Sequence, residues 1–413
     1  YEAAISSYRI AVSDYENLAA HDQTNSFGNP VLVKAGLLNG IGACELMLGQ
    51  QDASQQSHDA AMRLLESLPE GDQQLADVRY EKARTYTLLA RRLRPGESVA
   101  SQQFAEVQRD FGRPNEFRPG PEGRPGPGEF RLPRGPQGRP AEFGPGQRRR
   151  PNDSFRPMPQ GTANRRQRFS HFARAIGILE KLTTEAPDVA RYRFLLALCL
   201  RETSQLNDEG VNSTLNRACK LLESLVADYP ELPEYRLALA ESYARAEARP
   251  EQMRPEDMRL AEASLAMAAE HARRLVEEHP TVPAYTNSLV HIYSRLATIQ
   301  ERHAEEFYGT EHRTLMSEAE RNLRSALELQ ESLVRREPNV ATFHLWAARF
   351  RNSIARILRQ QDRLDEARQM SEYAIERLAE YPTSTGDVAT NAETMGTLYQ
   401  SLGATLRSMG EVK

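Results

Sequence analysis

Five prolines set a ruler along this chain. Pro187, Pro230, Pro280, Pro338 and Pro382 each close a stretch of one helical character: LEKLTTEAP, LESLVADYP, RRLVEEHP, ESLVRREP and IERLAEYP. Twelve residues before the proline stands Ala175, Ala218, Ala268 or Ala326, with Met370 in the fifth copy. Five residues after it stands Tyr192, Tyr235, Tyr285 or Phe343, with Asp387 in the fifth. Proline has no amide hydrogen and a fixed φ, so it ends one helix and lets the next begin. The small residue lets two helices approach closely, and the aromatic fills the space where the next helix starts. A unit built this way leaves an apolar face that only its neighbour can bury. The pattern therefore predicts a stack of antiparallel helix pairs.

The rest of the chain agrees. Charged residues make up 27% and aromatics 7% of the sequence, and Leu, Ala, Glu and Arg fill the regular segments. Unbranched side chains of this kind lose little rotamer freedom in a helix. Helices are expected near 1–20, 30–49, 53–68 and 73–94, with Gly49 and Pro69 as stops. The helix at 1–20 reads as the second of a pair, and the chain opens on Tyr1 in mid-helix, so a longer parent protein is expected. Three regions follow: helices over 1–94, an insert over 95–165, and helical repeats over 166–413.

The insert has a repeat of its own. Within 112–161 lie twelve of the 24 prolines, ten glycines, ten arginines and five acidic residues, which makes the stretch +5 in a chain of net charge −4. Phe117, Phe130, Phe143 and Phe155 recur in EFRPG, EFRLP, EFGPG and SFRPM, with Arg-Pro pairs at Arg113, Arg124, Arg139 and Arg150. Proline and glycine block regular structure and little apolar surface is available, so disorder with polyproline II character is expected. A helix near 98–110 is expected to flank it. The segment falls between helices 73–94 and 166–186, so it should interrupt one unit.

After each proline the next helix shows a large apolar residue, a small one and an aromatic: Leu239–Ala240–Tyr243, nearly so Leu289–Val290–Tyr293, and, shifted by four, Met395–Gly396–Tyr399. Leu196–Ala197–Leu200 and Ala347–Ala348–Arg351 lose the aromatic. With the preceding alanine and proline, the chain resembles the tetratricopeptide-repeat (TPR) proteins over about 170–410. The stretch YPELPEYRLALAESYARA looks like the divergent repeat tails of large bacterial serine/threonine kinases and sigma-factor-linked regulators. The resemblance implies an all-α, TPR-like α-solenoid acting as a protein–protein interaction scaffold within a larger signalling protein. Proline spacings of 43, 50, 58 and 44, against about 34 in the family, imply an irregular member.

In such proteins the first helices line the groove. Carrying that over makes Arg201, Glu241, Asn287, His291, Arg295, Arg349 and Asn352 the candidate groove residues. The Lys/Asn pattern that clamps a C-terminal carboxylate in some members is absent, since the matching positions are Phe194/Leu198, Leu237/Glu241, Asn287/His291 and Leu345/Arg349. A polar, positive patch for an acidic peptide remains open through Asn287, His291, Arg295, Arg349 and Asn352.

No phosphate-cradling GxxxxGK[ST] and no GxSxG nucleophile turn occurs. The densest His/Glu group, HAEEFYGTEH at 303–312, lacks the i, i+4 histidine pair that sets two imidazoles on one helix face. Cys44, Cys199 and Cys219 stand singly and read as small buried apolar residues in a reducing compartment such as the cytoplasm, though a membrane-anchored parent is also open. No membrane span is read in this chain. The expectation is a non-enzyme without cofactors, whose partners are proteins or peptides. Arginine interleaved with phenylalanine also suits single-stranded nucleic acid. The densest basic group, Arg148, Arg149, Arg150, Arg165, Arg166 and Arg168, is the candidate polyanion contact.

Overall fold

A computed structural model describes residues 1–21, 29–92, 160–204, 206, 211–245, 253–380 and 388–410. Most of the insert, the helix expected at 98–110, and Arg148, Arg149 and Arg150 lie outside the described residues. Among those described, every regular element is a helix: α1 (Glu2–His21), α2 (Pro30–Met47), α3 (Gln51–Glu66), the short α4 (Glu70–Gln73), α5 (Ala76–Arg92), α6 (Gln160–Glu185), α7 (Ala190–Ser204), α8 (Val211–Asp228), α9 (Pro233–Ala244), α10 (Pro255–Glu278), α11 (Pro283–Ala304), α12 (Gly309–Arg336), α13 (Ala341–Gln360), α14 (Leu364–Ala379) and α15 (Val388–Met409). The α6 helix starts at Gln160, inside the region read as insert, as soon as the proline run ends at Pro159.

Helix boundaries follow local chemistry. Pro30, Pro233, Pro255 and Pro283 stand at the first helical position, where no amide hydrogen is needed. The Asn29 side chain caps α2 by accepting from the Val31 amide at 3.0 Å. Gly49 ends α2 with φ of +77°, a left-handed conformation that glycine adopts without strain.

The helices pack as pairs: α2 with α3, α5 with α6, α7 with α8, α9 with α10, α11 with α12 and α13 with α14, while α1 precedes and α15 follows the set. Each second helix also packs on the next first helix. First helices reach one another as well, α2 to α5, α5 to α7, α7 to α9, α9 to α11 and α13 to α15. The first helices therefore form the inner edge of the stack. This is a TPR-like α-solenoid with irregular unit length. Because α5 and α6 make one pair, residues 93–159 interrupt a unit rather than link two.

The repeat positions do what their chemistry requires. Ala175, Ala218, Ala268 and Ala326 are all fully buried where two helices touch. Tyr192 and Tyr235 are buried, and Tyr285 and Phe343 half-buried, at the starts of first helices. Leu179, Leu222, Leu275 and Leu333 line the core on the second helices. A larger side chain at any of the four alanines forces neighbouring helices apart.

A recurrent ion pair closes three of the units. The fourth residue of the first helix meets the last residue of the second: Arg79 to Glu185, Arg193 to Asp228, and Arg236 to Glu278. A carboxylate at a helix C-terminus faces the negative end of the macrodipole, and the arginine offsets that. The interrupted unit carries the same clip as its uninterrupted neighbours. In the last two pairs the corresponding positions hold Thr286 with Arg336 and His344 with Ala379. There Arg336 donates instead to the Pro280 carbonyl, and His344 Nε2 lies 2.9 Å from the Pro338 carbonyl.

The expectation that no apolar window is long enough to span a bilayer needs revision. α2 is 18 residues long with mean hydropathy 1.2, enough by length and composition. It packs on α1, α3 and α5. Its Asn39 is fully buried and donates to Glu81 Oε1 at 2.7 Å and Thr85 Oγ1 at 2.8 Å on α5. Within the described fold it is a first helix of the stack.

Candidate functional site

The first-helix face runs the length of the stack, and its chemistry changes along it. Between α7 and α9 it is an ion-pair ladder. Arg201 Nη1 donates to Glu241 Oε2 at 2.7 Å, and Arg245 Nη1 donates to Glu202 Oε1 at 2.7 Å. Arg201 Nη2 lies 3.7 Å from Glu202 Oε1, so the two pairs join into one network. Arg201 and Glu202 are buried, at 6% and 4% exposure. Burial pulls the Arg201 guanidinium below its usual value, the nearby Arg245 adds to this, and the two glutamates oppose it. Arg201 and Glu241 were read from sequence as groove residues offered to a partner. The structure spends them on each other, because a ligand-facing position on one first helix also faces the next.

Between α11 and α13 the face carries rings. Asn287, His291 and Arg295 lie four apart on α11 and all are half-buried. The His291 ring meets Trp346 edge-on, with centroids 6.0 Å apart. Arg349 lies over the same indole at 5.2 Å. Trp346 itself is 5% exposed, so it serves as a floor that fixes both polar groups. Asn352 follows one turn after Arg349, and its Oδ1 is buried without a hydrogen-bond partner among the described residues. Of the seven groove candidates, His291, Arg349 and Asn352 thus come together, with Asn287 and Arg295 beside them on α11.

Between α13 and α15 the face is basic. Arg349, Asn352, Arg356 and Arg359 fall at helical spacing on one stripe of α13. Arg349 Nε donates to Thr394 Oγ1 at 3.3 Å, and Arg359 Nη1 to the Ser401 carbonyl at 3.4 Å. Arg356 pairs with Glu301 of α11. Burial lowers the Arg359 guanidinium, and the like charges of Arg356 and Arg407 push it the same way. Burial also lowers Arg349, while Glu393 opposes. The sequence reading missed Arg356, Arg359 and Arg407. Their spacing of three and four from Arg349 and Asn352 was the available signal for the first two.

The basic group at the start of α6 is partly described. Arg165 and Arg166 are exposed and Arg168 is half-buried. Arg165 Nε donates to the Leu206 carbonyl at 3.2 Å, which ties it to the loop after α7. One residue apart, Arg165 and Arg166 point about 100° away from each other on the helix. The two histidines of 303–312 serve local structure. His303 Nδ1 lies 2.5 Å from Glu262 Oε1, and His312 Nδ1 2.8 Å from the Ala304 carbonyl. Among the described residues no group of three His, Cys, Asp or Glu side chains is placed to hold a metal ion.

Two depressions stand out in relief. One of about 140 Å³ between α12, α13 and α14 is lined by Glu331, His344, Arg351 and Tyr373. Another of about 450 Å³ lies where α1 meets the end of α2, lined by Ile5, Arg9, Ile10 and Leu48. Both open to solvent and neither gathers the His291–Trp346–Arg349 group.

No family model matches the sequence, and no curated protein does. Solved structures resemble it. The S. pombe nuclear import adaptor Nro1 is 12% identical, over 89% of this chain and 98% of its own, with a TM-score of 0.45. Human IFIT1, in a dimer with PPP-AAAA, is 14% identical over 97% and 91%, with a TM-score of 0.19. Yeast Tom70 is 12% identical over 98% and 93%, with a TM-score of 0.17. These scores lie below 0.5, and the assignment of the fold stands on the helix pairing itself.

Proposed function

We propose that the chain is a protein–protein interaction scaffold whose partners lie along the first-helix face. The observation that carries this reading is the fixed polar group over Trp346. His291 and Arg349 are held by one buried ring, and Asn352 keeps an unsatisfied buried oxygen beside them. Side chains immobilised before a partner arrives lose little entropy on binding. An open face suits an extended segment better than a small molecule, which favours a concave pocket of about 300–1,000 Å³ that buries most of it.

A photo-crosslinking residue placed at Arg295, on the face, and at Leu260, on the exposed side of α10, tests the reading. Adducts to defined proteins from position 295 and not from 260 are the expected result. Adducts from neither position, or equally from both, would sink it.

The finer form of the proposal makes this scaffold a repeat tail within a larger bacterial signalling or regulatory protein, such as a serine/threonine kinase. Resemblance of the repeats to such tails supports it, and the neighbouring coding sequence tests it. Polyanion contact through Arg148, Arg149, Arg150, Arg165, Arg166 and Arg168 is a second reading, supported by the exposure of Arg165 and Arg166. Unchanged retention of RNA and DNA on a filter after deleting 112–161 and neutralising Arg165 and Arg166 would remove it.

A further inference from the structure

Two stretches of the first-helix face carry arginines that cross to a neighbouring first helix, with opposite results. Arg201 and Arg245 reach carboxylates 40 and 43 residues away on the adjoining first helix. Arg349 and Arg359 reach across at 45 and 42 residues but find a hydroxyl and a backbone carbonyl. A neutral acceptor satisfies a hydrogen and leaves the charge. Arg407 of α15 lies close enough to Arg359 to repel it, and Arg356 does the same from one turn away. Among the described residues, two carboxylates face this group. Glu301 is taken by Arg356, and Glu393 lies near Arg349. Four arginines thus face two glutamates, in a chain whose net charge is −4.

The geometry points to the α13–α15 face as the docking site for an acidic segment of a partner protein, with Arg359 and Arg407 as its carboxylate-binding residues and Arg349 and Asn352 beside them. This rests on the scaffold reading above and gives it a partner chemistry. Guanidinium donors in a planar fork match a carboxylate in two parallel hydrogen bonds. The stripe from Arg349 to Arg359 spans about 15 Å at the helical rise, a length that about four or five extended residues cover. The rings along it, Trp346 and Phe350, are buried at 5% and 0% exposure. They offer no stacking platform, which single-stranded nucleic acid requires for its bases. An acidic peptide therefore fits this face better than RNA.

The test uses the whole chain and fluorescein-labelled hexaglutamate, followed by anisotropy at low and high salt. The expected result is salt-sensitive binding that weakens about tenfold or more in Arg359→Gln/Arg407→Gln. Arg217→Gln, which removes an exposed charge from α8, is expected to leave binding unchanged. Phenylglyoxal modification of the unmutated chain, read by mass spectrometry, covers the case in which the double variant misfolds. Bound peptide should shield Arg359 and Arg407 and not Arg217. No binding, equal binding by the double variant in its folded form, or absent shielding overturns the inference. So does a hexaribonucleotide that binds as tightly and is lost in the same variant. If the peptide fails while crosslinks from position 295 persist, only the acidic-segment inference falls. If both fail, the scaffold reading falls with it.

Discussion

The α7–α9 and α13–α15 faces are both crossed by arginines and differ in what those arginines meet. In the first, each bridging arginine ends on a glutamate. In the second, it ends on Thr394 or the Ser401 carbonyl. The first face has closed its electrostatics and works as a seam between units. The second holds charge in reserve. The clip between the two helices of a unit is present in the pairs that start at α5, α7 and α9 and absent from those that start at α2, α11 and α13. An arginine that ends on a carboxylate is neutralised within the fold, whereas one that ends on a hydroxyl or a carbonyl is not, and the stack separates the two along its length.

The contrast breaks most readily at Arg201. Arg201→Ala removes a charge-assisted hydrogen bond to Glu241 while Arg245 still pairs the buried Glu202, so it should cost about 1.5–3 kcal/mol. Arg359→Ala should cost about 1 kcal/mol or less, since it gives up hydrogen bonding to a neutral acceptor. Urea unfolding of the two variants decides between them, and equal losses would erase the distinction between seam and reserve.

The alanine positions sharpen what the two regions share. Ala218→Leu and Ala326→Leu should each destabilise by about 1–3 kcal/mol through overpacking, measured as a drop in the urea midpoint. A cost in one region only would show that the repeat register does not extend through the stack.

Acid response gives a subtler difference. Burial raises the Glu301 carboxyl above its ordinary value of 4.5, with Arg356 opposing. The folded state then binds this proton more tightly than the unfolded chain. Its destabilising effect is absent below about 4.5 and develops as pH rises to the raised value. The clip residue Glu185, held below its ordinary value chiefly by the Arg79 hydrogen bond, acts in the other direction: its contribution is present above 4.5 and fades as pH falls. Unfolding free energies of Glu301→Gln and the parent chain should therefore converge as pH is lowered toward 4.5. Curves that stay parallel would refute the assignment.

The smallest effect concerns thiols. Burial pushes Cys199 and Cys219 up to about 11. A thiol reagent at pH 8 should leave both unmodified in the folded chain and reach them in denaturant, a difference of labelling rate read by mass spectrometry.

Much of the fold was legible because its signal is local. Proline, the alanine twelve residues before it and the aromatic five after it each act within one helix or one turn. They placed the helix pairs downstream of about 170, while the Pro- and Gly-rich composition of 112–161 marked the insert. The clip was invisible for the opposite reason: Arg79 and Glu185 lie 106 residues apart, and no helical period links them. The groove was read in the same register as the helices, which put Arg349, Asn352 and His291 among its candidates. Nothing in that register says whether an arginine meets a glutamate or a threonine about 40 residues on. The Arg201–Glu241 pair and the approach of Arg407 to Arg359 were therefore not legible.

The clip on the α5–α6 pair has a consequence for everything between those helices. Antiparallel packing brings the end of α5 and the start of α6 to the same edge of the stack, and the Arg79–Glu185 pair helps to hold the two helices in register. The entropy of closing a loop grows only with the logarithm of its length, roughly 0.6 kcal/mol per doubling. By that scale, a change in the number of residues between α5 and α6 costs little, while the units on either side keep their seats. A change of length between those two helices thus need not restack them.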